Sequence, residues 1–358
     1  MKFYQIHEWA AHTVENTSRN LRWALRRKRL QRGVKRYLQK PYQLTAAQKK
    51  EAKTYWKQYT KHFSPLWHEL FLQKSGKFDP RYVPDDIMFT QIEDYLNCYD
   101  ASVGIDNKCN YELYFPEAKQ PRTLFRRMQG VYRDADFNII SKEAAIANCL
   151  KEGVAVLKIA TDVGYGGGVK FWSLEADGEE KLRSLFDSMH GDLIAQCVIK
   201  QHPVLEKLHK ESVSCIRVVT MVTKEGVDYV CGYFRMGQGS KKVDYEGGCV
   251  CSIKPDGTLY DIGFDNGTCN SIKAHESGVK FSEFTIPCYE AVKQKALELH
   301  KKVGAFRIIS WDFSVSPEEK PILIEMNCMY GGIMYHQLGM GPLFGDKTEA
   351  VLNEVFGK

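Results

Sequence analysis

Asp312, Glu325 and Asn327 are the residues of this 358-residue chain whose types and spacing point most directly to chemistry. Asp312 lies in Arg307-Ile308-Ile309-Ser310-Trp311-Asp312-Phe313, and the other two end Pro321-Ile322-Leu323-Ile324-Glu325-Met326-Asn327. Both segments are rich in apolar and β-branched residues, and Pro317-Glu318-Glu319-Lys320 between them can reverse the chain, which predicts an antiparallel pair. Side chains alternate along a strand, so Glu325 and Asn327 share a face. A facing Asp312 would complete a cluster of hard oxygen donors. Magnesium prefers such ligands and keeps water or phosphate oxygens in its other positions, as a bound nucleoside triphosphate requires. Taken alone, the same residues also describe an edge hairpin with solvated polar ends.

Three other segments carry candidate chemistry. Lys158 is followed by a run with four glycines, Gly164, Gly166, Gly167 and Gly168, and then by strand-like Phe171-Trp172-Ser173-Leu174. Glycines permit positive φ and close backbone approach, so successive N–H groups can face phosphate oxygens while the loop closes as a lid. No helix follows and no Gly-Lys-Ser/Thr occurs, so this is neither a Walker loop nor a dinucleotide fingerprint. A flexible turn is the plain alternative, although a lysine beside such a loop can meet a phosphate as a point charge. Arg217 is the one charge inside the apolar stretch Ser212 to Val222. Burying it requires an anion, either a ligand carboxylate or phosphate or a structural salt bridge. In Ala195-Gln196-Cys197-Val198-Ile199-Lys200, backbone groups with Gln196 beside them could read an adenine edge.

The elements expected to position these residues fall into four stretches. Residues 1–45 form a basic amphipathic helical arm ended by Pro41, and 46–101 are mainly helical, opening on the cap-like Thr45-Ala46-Ala47-Gln48. Residues 102–195 mix short elements, with a helix from Ser141 and a buried strand Val154 to Ala160. From 196 to 358 strands dominate: Cys197 to Lys200, Ser212 to Thr223, Tyr229 to Met236 and Gly248 to Ile253, followed by a helix from Tyr289 to Val303. The expected class is α+β with two packed lobes after a helical region.

Composition sets the surroundings. No run of about 18 apolar residues is present, and the start lacks the apolar core of a signal peptide. Eleven cysteines without any Cys-x-x-Cys pair suit reduced, mostly buried thiols, so a cytoplasmic protein is expected. The net charge is +6, yet residues 19–40 alone hold ten Lys or Arg and no acidic residue. Trp23, Leu30, Val34, Tyr37 and Leu38 fall opposite many of these cations, with Arg27 interrupting the stripe. Anionic lipid headgroups at the inner face of a membrane are the favoured partner, with the aromatic and aliphatic residues at the interface. Nucleic acid would attract the same charges and is not favoured, and a solvated helix is the remaining reading.

The order of parts is more specific than any one of them. Asp106-Asn107-Lys108, Lys158 with the glycine hairpin, the inter-lobe strand, the arginine strand, the aspartate strand and the Glu-x-Asn strand together resemble the ATP-grasp superfamily. Within it the chain looks most like the sugar-transfer-associated family of polysaccharide biosynthesis. Phe63-Ser64-Pro65-Leu66-Trp67-His68, Phe78-Asp79-Pro80-Arg81-Tyr82-Val83-Pro84, Gln201-His202-Pro203 and Phe234-Arg235-Met236-Gly237 add to the likeness, which spans residue 60 to the end. The resemblance implies an ATP-grasp fold, two α+β lobes clasping ATP, with ATP and Mg2+ as cofactors. It implies that Lys108 and Lys158 meet the phosphates under a lid of Gly164 to Gly168, and that Gln196 and Ile199 hold adenine. Arg217, with Lys158, would stabilise the transferring phosphoryl group, while Asp312, Glu325 and Asn327 would hold magnesium.

Some positions depart from the family pattern. Ser214 and Cys215 stand where Asn and Thr are usual, Val243-Asp244-Tyr245 replaces Val-Asp-Asn, and Ile159 follows Lys158 in place of proline. None removes a phosphate or metal group, but the acceptor site is put in doubt, with Arg235, Asp244 and His275 as its candidate residues. The resemblance implies a ligase that activates a carboxylate as an acyl phosphate for attack by an amine, on a sugar or polysaccharide precursor. A phosphotransferase acting on a sugar hydroxyl would use the same groups. A non-catalytic membrane-surface adaptor with a vestigial nucleotide site is the third reading.

Overall fold

The computed structural model describes residues 3–161, 168–240 and 247–357, with side chains from residue 17 onward. Two compact units emerge, residues 97–331 and a second made of residues 1–96 with 332–358.

The second unit is helical. A long helix, Phe3–Val34, is followed by Ala46–Lys57 and Leu66–Ser75, and Met334–Met340 and Thr348–Val355 come from the far end of the chain. Thr45 caps the second of these through Gln48, each side chain bonding the other's backbone N–H, which satisfies two otherwise orphaned donors. Trp56, Trp67, Leu70, Phe71, Val83 and Ile87 are buried here. The C-terminal stretch 332–358, grouped by sequence with the strand-rich lobe, packs in this unit because Gln337 bonds both the N–H of Val83 (2.7 Å) and its carbonyl (2.8 Å).

Basic residues 19–40 do not form a separate arm. Trp23 and Val34 are 3% and 5% exposed, so the apolar stripe assigned to a lipid interface is spent on the protein's own core. Arg27, which breaks that stripe, donates to Thr90 Oγ1 at 3.3 Å. The interruption is therefore a polar anchor inside the helical unit.

Residues 97–331 hold two antiparallel sheets. The smaller contains β1 (Thr123–Met128), β2 (Val131–Arg133), β3 (Val154–Ile159), β4 (Val169–Ser173) and β5 (Leu193–Gln196), in the order β2-β1-β5-β3-β4. Helices Lys142–Glu152 and Leu174–Ser188 bury Ile146, Cys149, Leu182 and Phe186 against Phe125, Ala155, Leu157 and Ala195. Alternation then sends Lys158 and Gln196 to the opposite face. The strand expected at Cys197 to Lys200 is not formed: β5 ends at Gln196, and 197–200 lie outside any strand.

The larger sheet contains β6 (Cys215–Thr223), β7 (Gly226–Met236), β8 (Cys249–Ile253), β9 (Leu259–Asp265), β10 (Ser271–Ile272), β11 (Ile308–Val315) and β12 (Pro321–Asn327), ordered β10-β9-β8-β7-β6-β11-β12. One face is apolar. Ile216, Val218, Phe234, Cys251, Ile309, Trp311, Phe313 and Leu323 pack there with Val292, Ala296 and Leu299 of the helix Tyr289–His300. A polar insertion there is paired: Trp311 Nε1 donates to Thr220 Oγ1 at 2.9 Å, and Thr220 meets His300 Nδ1 at 2.6 Å. The other face, by the same period of two, carries Arg217, Tyr233, Ser252, Ser310 and Asp312.

Candidate functional site

Strand register builds the site. Glu325 on β12 pairs Asp312 on β11, Asp312 pairs Arg217 on β6, Arg217 pairs Tyr233 on β7, and Tyr233 pairs Ser252 on β8. A single row thus crosses five strands on one face of the large sheet. Asn327 joins one step along, opposite Ser310. A bulge makes this possible, because the register shifts between Asp312 and Phe313. Without the bulge at Ile324, Leu323 and Glu325, two residues apart, would share a face. With it, Leu323 stays in the core and Glu325 emerges beside Asp312.

Charges along the row are already paired. Asp312 is 1% exposed and accepts Arg217 Nε on Oδ1 and Nη2 on Oδ2, both at 2.6 Å. Arg235 adds a third contact to Oδ2 at 3.1 Å, and Asn327 Nδ2 lies 3.5 Å from the same oxygen. Arg217 Nη1 donates to the Gly331 carbonyl at 2.6 Å. Burial opposes ionisation of both partners, but the two guanidiniums outweigh it and hold the Asp312 carboxyl below its usual value. Burial likewise disfavours the charged Arg217, and Asp312 outweighs it. The anion that Arg217 meets in this structure is therefore one of the chain's own carboxylates, Asp312.

Lys108 and Lys158 approach from the small-sheet side. The backbone N–H of Lys108 donates to Ala160 O at 3.1 Å, while its Nζ lies 2.7 Å from Glu325 Oε1. Burial alone would favour the neutral amine, but Glu325 and Asp106 together raise its pKa. Among the described residues Lys158 Nζ meets an amide oxygen, Gln196 Oε1 at 3.1 Å. Burial, reinforced by the charge on Lys108, pushes its pKa down to about 8. Among the described residues no carboxylate forms an ion pair with it, and such an ammonium is a ready partner for an incoming anion.

Gln196 is engaged at both ends of its amide, since Nε2 donates to Pro121 O at 3.2 Å. Ile199 lies beyond β5 and is half-buried. Gly168 closes the hairpin through Ile159 N to its carbonyl at 2.9 Å. Gly164, Gly166, Gly167 and Asp244 lie outside the described residues. His275 is buried and committed to the backbone: Nε2 meets Gly237 O at 2.8 Å and Nδ1 accepts the Ser277 N–H at 3.1 Å. Those bonds occupy both ring nitrogens, so His275 positions a loop in this structure.

Two features escaped the sequence. Asp106 accepts the Tyr111 hydroxyl at 2.8 Å, and Tyr111 in turn accepts the Met326 N–H at 3.2 Å, tying Asp106 to β12 beside Glu325. Burial raises the Asp106 carboxyl. Arg126 on β1 is fully buried, paired with Glu112, and stacked 3.8 Å over Phe137. Asp106 had a signal in its nearness to Lys108, whereas nothing in Thr-Leu-Phe-Arg-Arg-Met marks Arg126 as internal.

The oxygen donors that could hold a magnesium ion are in an uneven state. Glu325 is paired only with Lys108 among its described ion pairs, and its side chain is 30% exposed. Asn327 uses its amide nitrogen toward Ser310 O at 3.3 Å and toward Asp312, leaving the carbonyl oxygen as a donor to metal. Asp312 could join only by sharing an oxygen with the arginines. The donor set fits a hard cation at Glu325 and Asn327.

Residues 178–351 match the family described as sugar-transfer associated ATP-grasp. No curated protein matches the chain. Among solved structures, D-alanyl-alanine synthetase A from Vibrio cholerae aligns at 14% identity over 73% of this chain and 66% of its own, with a TM-score of 0.43. The biotin carboxylase domain of the Hydrogenobacter thermophilus 2-oxoglutarate carboxylase, crystallised with MgADP, ADP and bicarbonate, aligns at 13% over 74% and 48%, TM-score 0.43. L-amino acid ligase from Bacillus licheniformis aligns at 11% over 70% and 47%, TM-score 0.39. The chain thus spans roughly half to two thirds of these proteins, and likeness at this level carries no argument about activity.

Proposed function

We propose that this chain, whose residues 178–351 match the sugar-transfer associated ATP-grasp family, is an ATP-dependent ligase that joins a carboxylate to an amine. The observation that carries this reading is the charge layout between the two sheets. Lys108 and Lys158 come from one side, and the Glu325-Asp312-Arg217 row from the other. Phosphoryl transfer needs positioning and cationic neutralisation far more than covalent help.

In this reading Lys108 and Lys158 take the phosphates, and Gln196 with the segment through Ile199 lies beside adenine. Glu325 and Asn327, with Asp312 behind them, would hold Mg2+, which when bound neutralises phosphate charge. A substrate carboxylate oxygen attacks the γ-phosphorus and the bond to ADP breaks. The amine nitrogen then attacks the acyl carbon of the acyl phosphate, loses a proton, and phosphate departs. Arg217 and Arg235, held on Asp312, face the charge that develops at the transferring group. A sugar or polysaccharide precursor as substrate rests on the family description alone.

The test is product analysis. Purified protein is given ATP, Mg2+ and pools of amino acids and acidic sugars. A ligase requires both a carboxylate and an amine, and releases inorganic phosphate with formation of an amide. Phosphate retained on a sugar would assign a phosphotransferase instead, and no turnover with any pool would support the vestigial site.

The Lys158 ammonium makes a second prediction. Its pKa of about 8 means that the charged form, which binds phosphate, dominates below that pH and is lost above it. ATP affinity should hold steady to about pH 8 and then fall, approaching tenfold per pH unit. Calorimetric titration at rising pH reads this directly. In Lys158→Arg the guanidinium stays charged, so the decline should vanish. A wild-type affinity flat across that range would remove Lys158 from the phosphate site.

A further inference from the structure

The surface left open by the Phe3–Val34 helix is the opposite of the one its sequence suggests. Trp23, Leu30 and Val34 point toward the helical unit, Trp23 and Val34 fully so. At about 100° per residue, Leu21, Leu25, Lys28, Arg29 and Arg32 then fall within one arc of about 100° on the other side. All five are exposed, Leu21 by 61% and Leu25 by 58%. Arg22 and, past the helix end, Lys35 and Arg36 extend the same exposed surface. Residues 17–40 contain no acid, so no carboxylate from this segment balances the arc. Arg32 Nε bonds only the Lys28 carbonyl among its described contacts, at 3.3 Å, and keeps its charge toward solvent.

We propose that this face docks on an anionic lipid bilayer, with Leu21 and Leu25 entering the interface and the flanking cations lying among headgroups. Charge alone would equally suit nucleic acid. The two leucines, adjacent turns apart at i and i+4, are what decide between them. A phosphate backbone has no use for two exposed aliphatic side chains in the middle of its contact. A bilayer offers negative headgroups and an apolar layer within one side-chain length of each other. Exposing two leucines in a row of cations also disfavours self-association, since a second copy would bring like charges together. The inference stands apart from the ATP-grasp reading, because the face lies wholly on residues 21–36.

The test uses the full chain with sedimentable vesicles of phosphatidylcholine alone or mixed with phosphatidylglycerol. Binding should appear only with phosphatidylglycerol and weaken steeply between about 0.05 and about 0.5 M salt. Arg29→Ala and Arg32→Ala should each cost about fivefold in affinity. Leu21→Ser with Leu25→Ser should cost at least about tenfold with every charge retained. Because these side chains face solvent, unchanged thermal melting will show that the variants fold. Vesicle binding that ignores the leucine changes, or no binding at all, overturns the proposal. Tighter binding to duplex DNA or RNA that the leucine pair does not affect overturns it in favour of nucleic acid.

Discussion

Glu325→Ala should abolish magnesium-dependent ATP turnover, lowering it by at least about 10²- to 10³-fold. Two consequences of the change act together. It removes the most accessible carboxylate of the oxygen cluster, and it strips Lys108 of its 2.7 Å partner, leaving its ammonium only the weaker attraction of Asp106 and Asp312. Glu325→Gln separates the two effects, because it keeps the shape and an oxygen donor but removes the charge. It should retain measurable turnover only at raised magnesium. Phosphate release assayed across a magnesium titration distinguishes these outcomes, and unchanged turnover in the alanine variant would sink the metal assignment.

The second large effect concerns stability. Arg217→Met should destabilise the protein by about 3–5 kcal/mol, since breaking a buried pair strands the partner charge. Asp312 would be left with one guanidinium, Arg235 at 3.1 Å, in place of two. Arg217→Lys should recover little, as an ammonium cannot reproduce the two-pronged contact to Oδ1 and Oδ2. Urea unfolding measures both, and a loss below about 1 kcal/mol would mean the pair is dispensable. The acid side follows from the same geometry. A carboxyl held below its ordinary value of 3.8 contributes stability that is fully present above that pH. That contribution is lost as pH falls toward the depressed folded value, so the arginine variant should lose its acid sensitivity in this range along with its stability.

Much of this site was legible because it obeys short-range rules. Asp312, Glu325 and Asn327 sit on paired strands where alternation puts them, and the α+β class with its helical start follows from pattern alone. What was illegible depends on long-range or irregular geometry. The bulge at Ile324 costs one residue and decides which face Glu325 occupies, yet nothing in Pro-Ile-Leu-Ile-Glu-Met-Asn announces it. Arg217 was expected to need an anion, but that the anion is Asp312, 95 residues away, requires knowing that β6 and β11 are neighbours. His275 looked available for a substrate because its backbone partner, Gly237, is distant in sequence. The basic helix misled for a related reason. Its apolar stripe was real, but a stripe does not say whether lipid or the protein's own core covers it.

Lys108 belongs to the small-sheet side by its backbone and to the large-sheet side by its side chain. Any phosphate that draws its ammonium away from Glu325 therefore does two things with one displacement. It frees a carboxylate for metal, and it replaces a link made of protein with a link made of ligand. In the proposed ligase, loading and clamping would then be a single event with a built-in order, Lys108 covering Glu325 until a nucleotide phosphate draws it away.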